Sequence, residues 1–215
     1  MPDFKAAIFD LDGTILDSMW LWDKIDVDFF AKRDITITDD YSKEISAKSF
    51  RETAEYTIRY FHLDETAEDV MDEWANMAIY EYTHNVRLKP YAKDYLLFLK
   101  KEGIKLGAAT SLTKALYEVA LKNNGILDLF DAITSADEVK RGKEFPDIYI
   151  LAAKKIDTMP KDCIVYDDIL NAIAAIKSAG MKACGVYDKL SRQDIDLMKK
   201  ISDMFIYSFE ELLNN

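Results

Sequence analysis

Cysteine is nearly absent: the 215 residues hold two, Cys163 and Cys184. Both lie inside apolar runs that read as buried strands, and no secretory leader precedes Met1-Pro2-Asp3, so a reduced, cytoplasmic setting is expected. The same burial, with no histidine close by, argues against a cysteine nucleophile. Histidine is equally scarce. His62 and His84 are isolated, with no partner histidine at metal-ligand spacing. No apolar run approaches the roughly 18 residues that a membrane span requires. Positive charge is in short supply: 28 Lys and Arg face 39 Asp and Glu, a net charge of −11 that would repel a phosphate backbone. Neither a membrane nor a nucleic acid is expected as a partner, and small substrates are favoured. Hydrophobic residues at 49% and charged residues at 31% are ordinary for a globular chain. Internal repeats and low-complexity segments are also absent, and the length fits one large domain or two small ones.

Against these absences stands a regular alternation. Ala6 to Phe9 is a short apolar run ending at Asp10, the pattern of a fully buried parallel strand. Leu106 to Ala109, Ala132 to Thr134, Cys163 to Tyr166 and Ala183 to Val186 repeat it, and Met204 to Ile206 makes a sixth candidate. Helical stretches intervene: Ala92 to Lys101, Thr113 to Asn123, Asp147 to Lys155 and Leu170 to Ala179. Asn124-Gly125 and Gly180 supply left-handed residues to close two of them. Such alternation predicts an α/β fold, a doubly wound parallel sheet of Rossmann-like type. Residues 17–86 break the pattern, because helical periodicity runs there without a strand. Met71, Trp74, Ala75, Ala78 and Tyr82 fall on one face at spacings of three and four. The helical stretch ends near Lys89-Pro90, where the residue before proline is biased away from helix. The expected organisation is an α/β core of residues 1–16 and 87–215 with a helical domain, 17–86, inserted after strand one.

Asp10-Leu11-Asp12-Gly13-Thr14 carries the strongest chemical signal. Ligands of open α/β sheets bind beyond the carboxyl ends of strands, so both carboxylates are expected to project into that crevice. Two acids two residues apart can divide phosphoryl transfer, one attacking phosphorus and the other moving the leaving-group proton. A plain polar turn is the bland alternative, and the strand-end context argues against it.

Asp10-Leu11-Asp12-Gly13-Thr14-Ile15-Leu16-Asp17-Ser18 resembles the first motif of the haloacid dehalogenase superfamily, in the β-phosphoglucomutase and phosphoglycolate phosphatase-like branch with a small helical cap. The resemblance implies that Asp10 is the nucleophile, forming a phosphoaspartate, and Asp12 the general acid and base. Dehalogenases themselves lack the second aspartate, so Asp12 points to phosphate esters. Thr110-Ser111 is similar to the second motif, whose hydroxyl and backbone N–H groups hold phosphate oxygens; read alone, such residues before a helix are more often N-caps. Gly142-Lys143-Glu144-Phe145-Pro146-Asp147 resembles the third motif, which makes Lys143 the cation that neutralises the phosphoryl group and orients the nucleophile. Glu144 stands where many relatives have proline. Lys140 and Arg141 lie close by, and a lone loop lysine is usually solvated.

Val165-Tyr166-Asp167-Asp168 ends another strand in adjacent acids. Acids at a helix N-terminus satisfy its dipole, but two carboxylates beside the first loop also suit a hard cation such as Mg²⁺. The resemblance to the fourth motif implies that Asp10, Asp12 through its backbone carbonyl, and Asp168 hold Mg²⁺, with Asp167 a second ligand or outer-shell acid. Ile169 and Ala172 depart from the family's usual serine and glycine. In the inserted domain Trp20, Trp22 and Trp74 could line a substrate entrance, although aromatic residues at helical spacing are more often core, and Arg51 is expected to be solvated.

The expected activity is Mg²⁺-dependent hydrolysis of a small phosphorylated metabolite. Two rivals remain: a sugar phosphomutase resembling β-phosphoglucomutase, and a non-catalytic sugar-phosphate-binding module. The mutase carries a histidine where this sequence has Trp22, which favours hydrolysis. Retired scaffolds often lose the nucleophile or metal acids, whereas Asp10, Asp12, Lys143 and Asp168 are all present.

Overall fold

The computed structural model describes residues 3–45, 48, 50–189 and 195–213. Two compact units emerge, Met1–Met19 with Val86–Asn215, and Trp20–Asn85.

The first unit is built on a six-stranded parallel sheet of β1 (Ala6–Phe9), β4 (Lys105–Thr110), β5 (Ala132–Ser135), β6 (Cys163–Asp167), β7 (Lys182–Val186) and β8 (Met204–Ile206), in the order β5-β4-β1-β6-β7-β8. All four residues of β1 are buried, as expected of a central strand covered on both faces. Successive side chains of an extended strand point to opposite faces, and the two halves of the core follow that parity. Ala6 and Ile8, with Cys163 and Val165 of β6, join a cluster made with α7 (Asp147–Lys155), α8 (Leu170–Ser178) and α9 (Ile195–Ile201). Phe9 turns the other way and stacks on Tyr166, ring centroids 4.5 Å apart and 9° from parallel. Phe209 from the C-terminal turn and Tyr95 of α5 (Ala92–Lys101) close over that pair. The Tyr95 and Tyr166 hydroxyls lie 2.6 Å apart, which satisfies two buried polar groups.

β1 lies between β4 and β6, and the connections leaving β1 and β6 run in opposite directions across the sheet. The loops beyond those two strands therefore separate and leave a crevice at the switch point, where doubly wound folds place their ligands. Between β4 and β5 runs α6 (Lys114–Asn123).

Two short strands have no counterpart among those expected from the sequence. β2 (Leu16–Asp17) and β3 (Arg87–Leu88) pair antiparallel, Leu16 opposite Leu88 and Asp17 opposite Arg87, at the two ends of the inserted segment. Strands of two residues are too short to show a period, and only their partner across the insertion defines them.

The second unit contains α1 (Leu21–Ala31), α2 (Asp39–Ile45), α3 (Phe50–Phe61) and α4 (Ala67–His84). Thr66 caps α4 with Asp69 in a reciprocal capping box. Val70, Trp74, Ala78 and Tyr82 are its buried apolar side chains. Phe29 meets Trp74 edge-on at 5.3 Å, while Phe30 packs on Tyr41 and Phe61. Among the described residues, no helix is long and apolar enough to cross a membrane.

Candidate active site

The site begins where β1 stops. Asp10 N–H donates to the Tyr166 carbonyl at 2.9 Å, extending the ladder by one residue and holding Asp10 beside the end of β6. The chain then turns tightly: Gly13 takes φ +74°, and Gly13 N–H donates to the Leu16 carbonyl at 3.0 Å. That turn brings Thr14 Oγ1 to donate to Asp168 Oδ1 at 3.0 Å, linking the first acidic loop to the loop after β6.

Asp10, Asp167 and Asp168 form one buried group, each offering a carboxylate oxygen within 4.8 Å of the others. Lys143 reaches into it from the irregular segment before α7. Its Nζ lies 2.7 Å from Asp10 Oδ1 and 2.6 Å from Asp167 Oδ2, and its side chain is 11% exposed. The bland reading of a solvated loop lysine therefore does not apply.

The electrostatics follow from burial. Desolvation pushes the Asp10 carboxyl well above the usual range; Lys143 opposes the shift, while Asp167 and Asp168 add to it. Asp168 is raised to about 7, first by burial and then by Asp167, against the pull of Lys143 and Thr14. Burial alone would lower the Lys143 ammonium, but its two carboxylate partners hold it above its ordinary value.

The three acids offer only hard oxygen donors, and their burial and mutual repulsion, which Lys143 and, at Asp168, Lys89 oppose only in part, push Asp10 and Asp168 toward the protonated form that a bound cation would displace. That set fits a divalent cation of the Mg²⁺ kind. The space is also shaped: a Cβ on Gly13 would lie 2.5 Å from Asp168 Oδ2, so only glycine lets the two loops meet so closely.

Asp12 stands apart from the three-acid group. It is half-buried, and Ser18 Oγ donates to Asp12 Oδ1 at 2.5 Å. That contact orients the Asp12 carboxylate. Thr110 ends β4, on the strand next to β1, and is fully buried; its Oγ1 accepts from Leu112 N–H at 3.1 Å. Ser111 follows it and is exposed. Neither is the N-cap of α6, since Thr113 occupies that position.

Asp167 is engaged on both oxygens. Oδ2 accepts from Lys143 and, at 3.2 Å, from the Tyr149 hydroxyl, while Oδ1 accepts from Ile169 N–H at 3.1 Å. Thr14, Ser18 and Tyr149 are site neighbours to which the sequence alone assigns no role. Thr14 and Ser18 stand inside the first motif, and Ser18 could have been paired with Asp12 on that ground. For Tyr149 the signal was parity: positions 163, 165 and 167 share the face covered by α7.

Cys163 and Cys184 are free and buried. In the second unit Trp22 is exposed and meets Phe50 edge-on at 6.0 Å, Trp74 is buried, and Trp20 is half-buried. Arg51 pairs with Glu68 at 2.8 Å, both exposed. His84 packs against Tyr80 with the rings tilted by 52°.

Comparison with known proteins places the chain in a family. The sequence model of the haloacid dehalogenase-like hydrolases matches residues 4–180. The chain is 31% identical to a β-phosphoglucomutase of Bacillus subtilis, over 96% of this chain and 94% of that protein. It is 25% identical to hexitol phosphatase B of Escherichia coli K12, over 96% and 93%. Among solved structures, CbbY of Rhodobacter sphaeroides in complex with phosphate superposes with a TM-score of 0.77 at 23% identity, over 97% of this chain and 96% of that one. With a family model matched across both acidic loops and Lys143, the chain belongs to the haloacid dehalogenase-like hydrolases.

Proposed function

We propose that the protein is a Mg²⁺-dependent phosphatase that hydrolyses a small phosphorylated metabolite through a phosphoaspartate on Asp10. The observation that carries this reading is Lys143 bridging Asp10 and Asp167 inside a buried group of three acids. A surface salt bridge needs no such investment, because burying four ionisable groups together is costly unless the charge is used.

Asp10 would hold the cation through one carboxylate oxygen, Asp12 through its backbone carbonyl and Asp168 through its carboxylate, leaving Asp167 to the lysine. Bound there, Mg²⁺ supplies positive charge against the phosphoryl oxygens and the nucleophile. The remaining chemistry belongs to the chain. An Asp10 oxygen attacks phosphorus, forming the acyl phosphate as the ester oxygen departs. Asp12, oriented by Ser18, protonates that oxygen, then takes a proton from the water that cleaves the phosphoaspartate. Lys143 offsets charge on the phosphoryl group, and Thr110 with the backbone N–H groups at Ser111 holds its oxygens. Residues 17–86 would act as a cap that limits water during the first step and admits it for the second.

Sugar and polyol phosphates are the favoured substrate class, in line with the hexitol phosphatase and β-phosphoglucomutase among the relatives. Incubating the protein with phosphorylated sugars, hexitols, nucleotides and glycolytic acids in Mg²⁺, and measuring phosphate release, tests this. Release from sugar or hexitol phosphates supports it; no release from any ester rejects it.

The 31% identity to a β-phosphoglucomutase keeps phosphomutase activity as a second reading. Trp22, standing where that enzyme type carries a histidine, favours hydrolysis.

A further inference from the structure

We propose that Tyr149 is a positioning residue, whose hydroxyl fixes the Asp167 carboxylate and through it the ammonium of Lys143. The inference rests on the phosphatase reading of the site.

Lys143 is carried by an irregular segment, on a long stem with several rotatable bonds. Nothing in that backbone locks its ammonium where a transferring phosphoryl group would need it. The lock comes from the carboxylates it touches, and Asp10 must itself be free to react. Asp167 is therefore the fixed point, and its fixation is visible. Oδ1 accepts from Ile169 N–H at 3.1 Å, and Oδ2 accepts from both Tyr149 Oη at 3.2 Å and Lys143 Nζ at 2.6 Å. With donors on both oxygens the carboxylate cannot rotate without breaking one of them. Tyr149 and Asp167 are both fully buried, so water cannot replace the hydroxyl.

The donor is itself immobile. Tyr149 lies on α7 two residues after Asp147, packed in the cluster that joins α7, α8 and the sheet. Burial beside the acids pushes its phenol far upward, so it stays a donor across the working range of pH. A phenylalanine would fill the same cavity and lack only the hydroxyl. Tyr149→Phe thus separates packing from positioning.

The expected result is a fall in kcat of about 10-fold, the scale of one hydrogen bond to a charged group, with KM nearly unchanged and an unfolding midpoint within a few degrees of wild type. Because the hydroxyl acts through Asp167, the effect should vanish in an Asp167→Asn background, a double-mutant cycle that a merely structural role would leave additive. A second readout needs no turnover. In metal-free protein labelled with ¹⁵N-lysine, the Lys143 ammonium resonance, identified by its loss in Lys143→Met, should be protected from solvent exchange in wild type and broadened in Tyr149→Phe.

Wild-type kcat in Tyr149→Phe, or an equal loss with and without Asp167, would overturn the inference. So would an ammonium resonance identical in the two proteins. If wild type releases no phosphate from any ester, the phosphatase reading fails instead, and the resonance still decides whether Tyr149 holds the lysine.

Discussion

Gly13 and Asp168 approach so closely that a single methyl group cannot be placed between them: a Cβ on Gly13 would meet Asp168 Oδ2 at 2.5 Å. The two residues lie on different loops, after β1 and after β6, and their contact sets the width of the crevice at the switch point of the sheet. Gly13→Ala should therefore move Asp168 as well as strain the backbone, since φ +74° costs an L-residue about 1–2 kcal/mol. Activity should fall more than stability does. Assays of phosphate release beside urea unfolding would show it, and an active Gly13→Ala protein with tight Mg²⁺ binding would contradict the placement of Asp168 at the metal.

Mg²⁺ should stabilise the folded chain, because a cation that binds the native acid group and not the unfolded chain adds free energy by mass action, about 2.7 kcal/mol at a hundredfold excess over its Kd. The unfolding midpoint should rise on Mg²⁺ addition and fall back with EDTA. Asp168→Ala should abolish the shift, while Asp167→Asn should retain part of it, since Asp167 is occupied by Lys143, Tyr149 and Ile169 N–H. A full shift in Asp168→Ala would reject the proposed ligand set.

The helical unit carries its own titration. Burial, with Asp23 adding repulsion, raises Asp26 from 3.8 to about 6. A carboxyl with a raised folded pKa contributes its full stability below the unfolded value and loses it as pH climbs through the folded one. The stability of residues 20–85 should therefore drop between about pH 4 and pH 6. Asp26→Asn should remove that slope and gain about 1–2 kcal/mol at pH 7, a value discounted for the carboxylate's partial exposure. Hydrogen exchange of α1 amides against pH is the measurement. An unchanged slope in the variant would place the titrating group elsewhere.

Much of this architecture was legible because buried parallel strands are short apolar runs with sharp polar ends. Ala6 to Phe9 and Cys163 to Tyr166 could be read on that ground, and Asp10, Asp167 and Asp168 were conspicuous as acids at their ends. What the sequence could not express is geometry across the sheet. The resemblance implied that Lys143 orients Asp10, but its second contact with Asp167, the Thr14 hydroxyl on Asp168 and the Tyr149 hydroxyl on Asp167 each join positions distant in the chain. The β2–β3 pair was hidden for the same reason, as neither half carries a signal without the other.

Hydrolase and mutase differ in the fate of the phosphoaspartate. A mutase keeps the intermediate from water until the sugar has turned around, which requires cap closure coupled to the general base. The Trp22 indole can donate a hydrogen bond but has no titratable ring nitrogen with which to exchange a proton with the general base as an imidazole does, so water should reach the phosphoenzyme readily. Phosphate release should exceed sugar-phosphate isomerisation, with or without glucose 1,6-bisphosphate. Isomerisation outrunning release by orders of magnitude would select the mutase reading.

The most direct test compares wild type with Asp10→Asn on a responsive sugar or hexitol phosphate in Mg²⁺, following inorganic phosphate and checking the variant by mass for deamidation. The amide is isosteric but cannot attack phosphorus, so turnover should fall more than about 1,000-fold, as losses of a nucleophile do, while the variant stays folded. Turnover comparable to wild type in an Asp10→Asn protein whose mass shows the amide intact would contradict the assignment of Asp10 as the nucleophile.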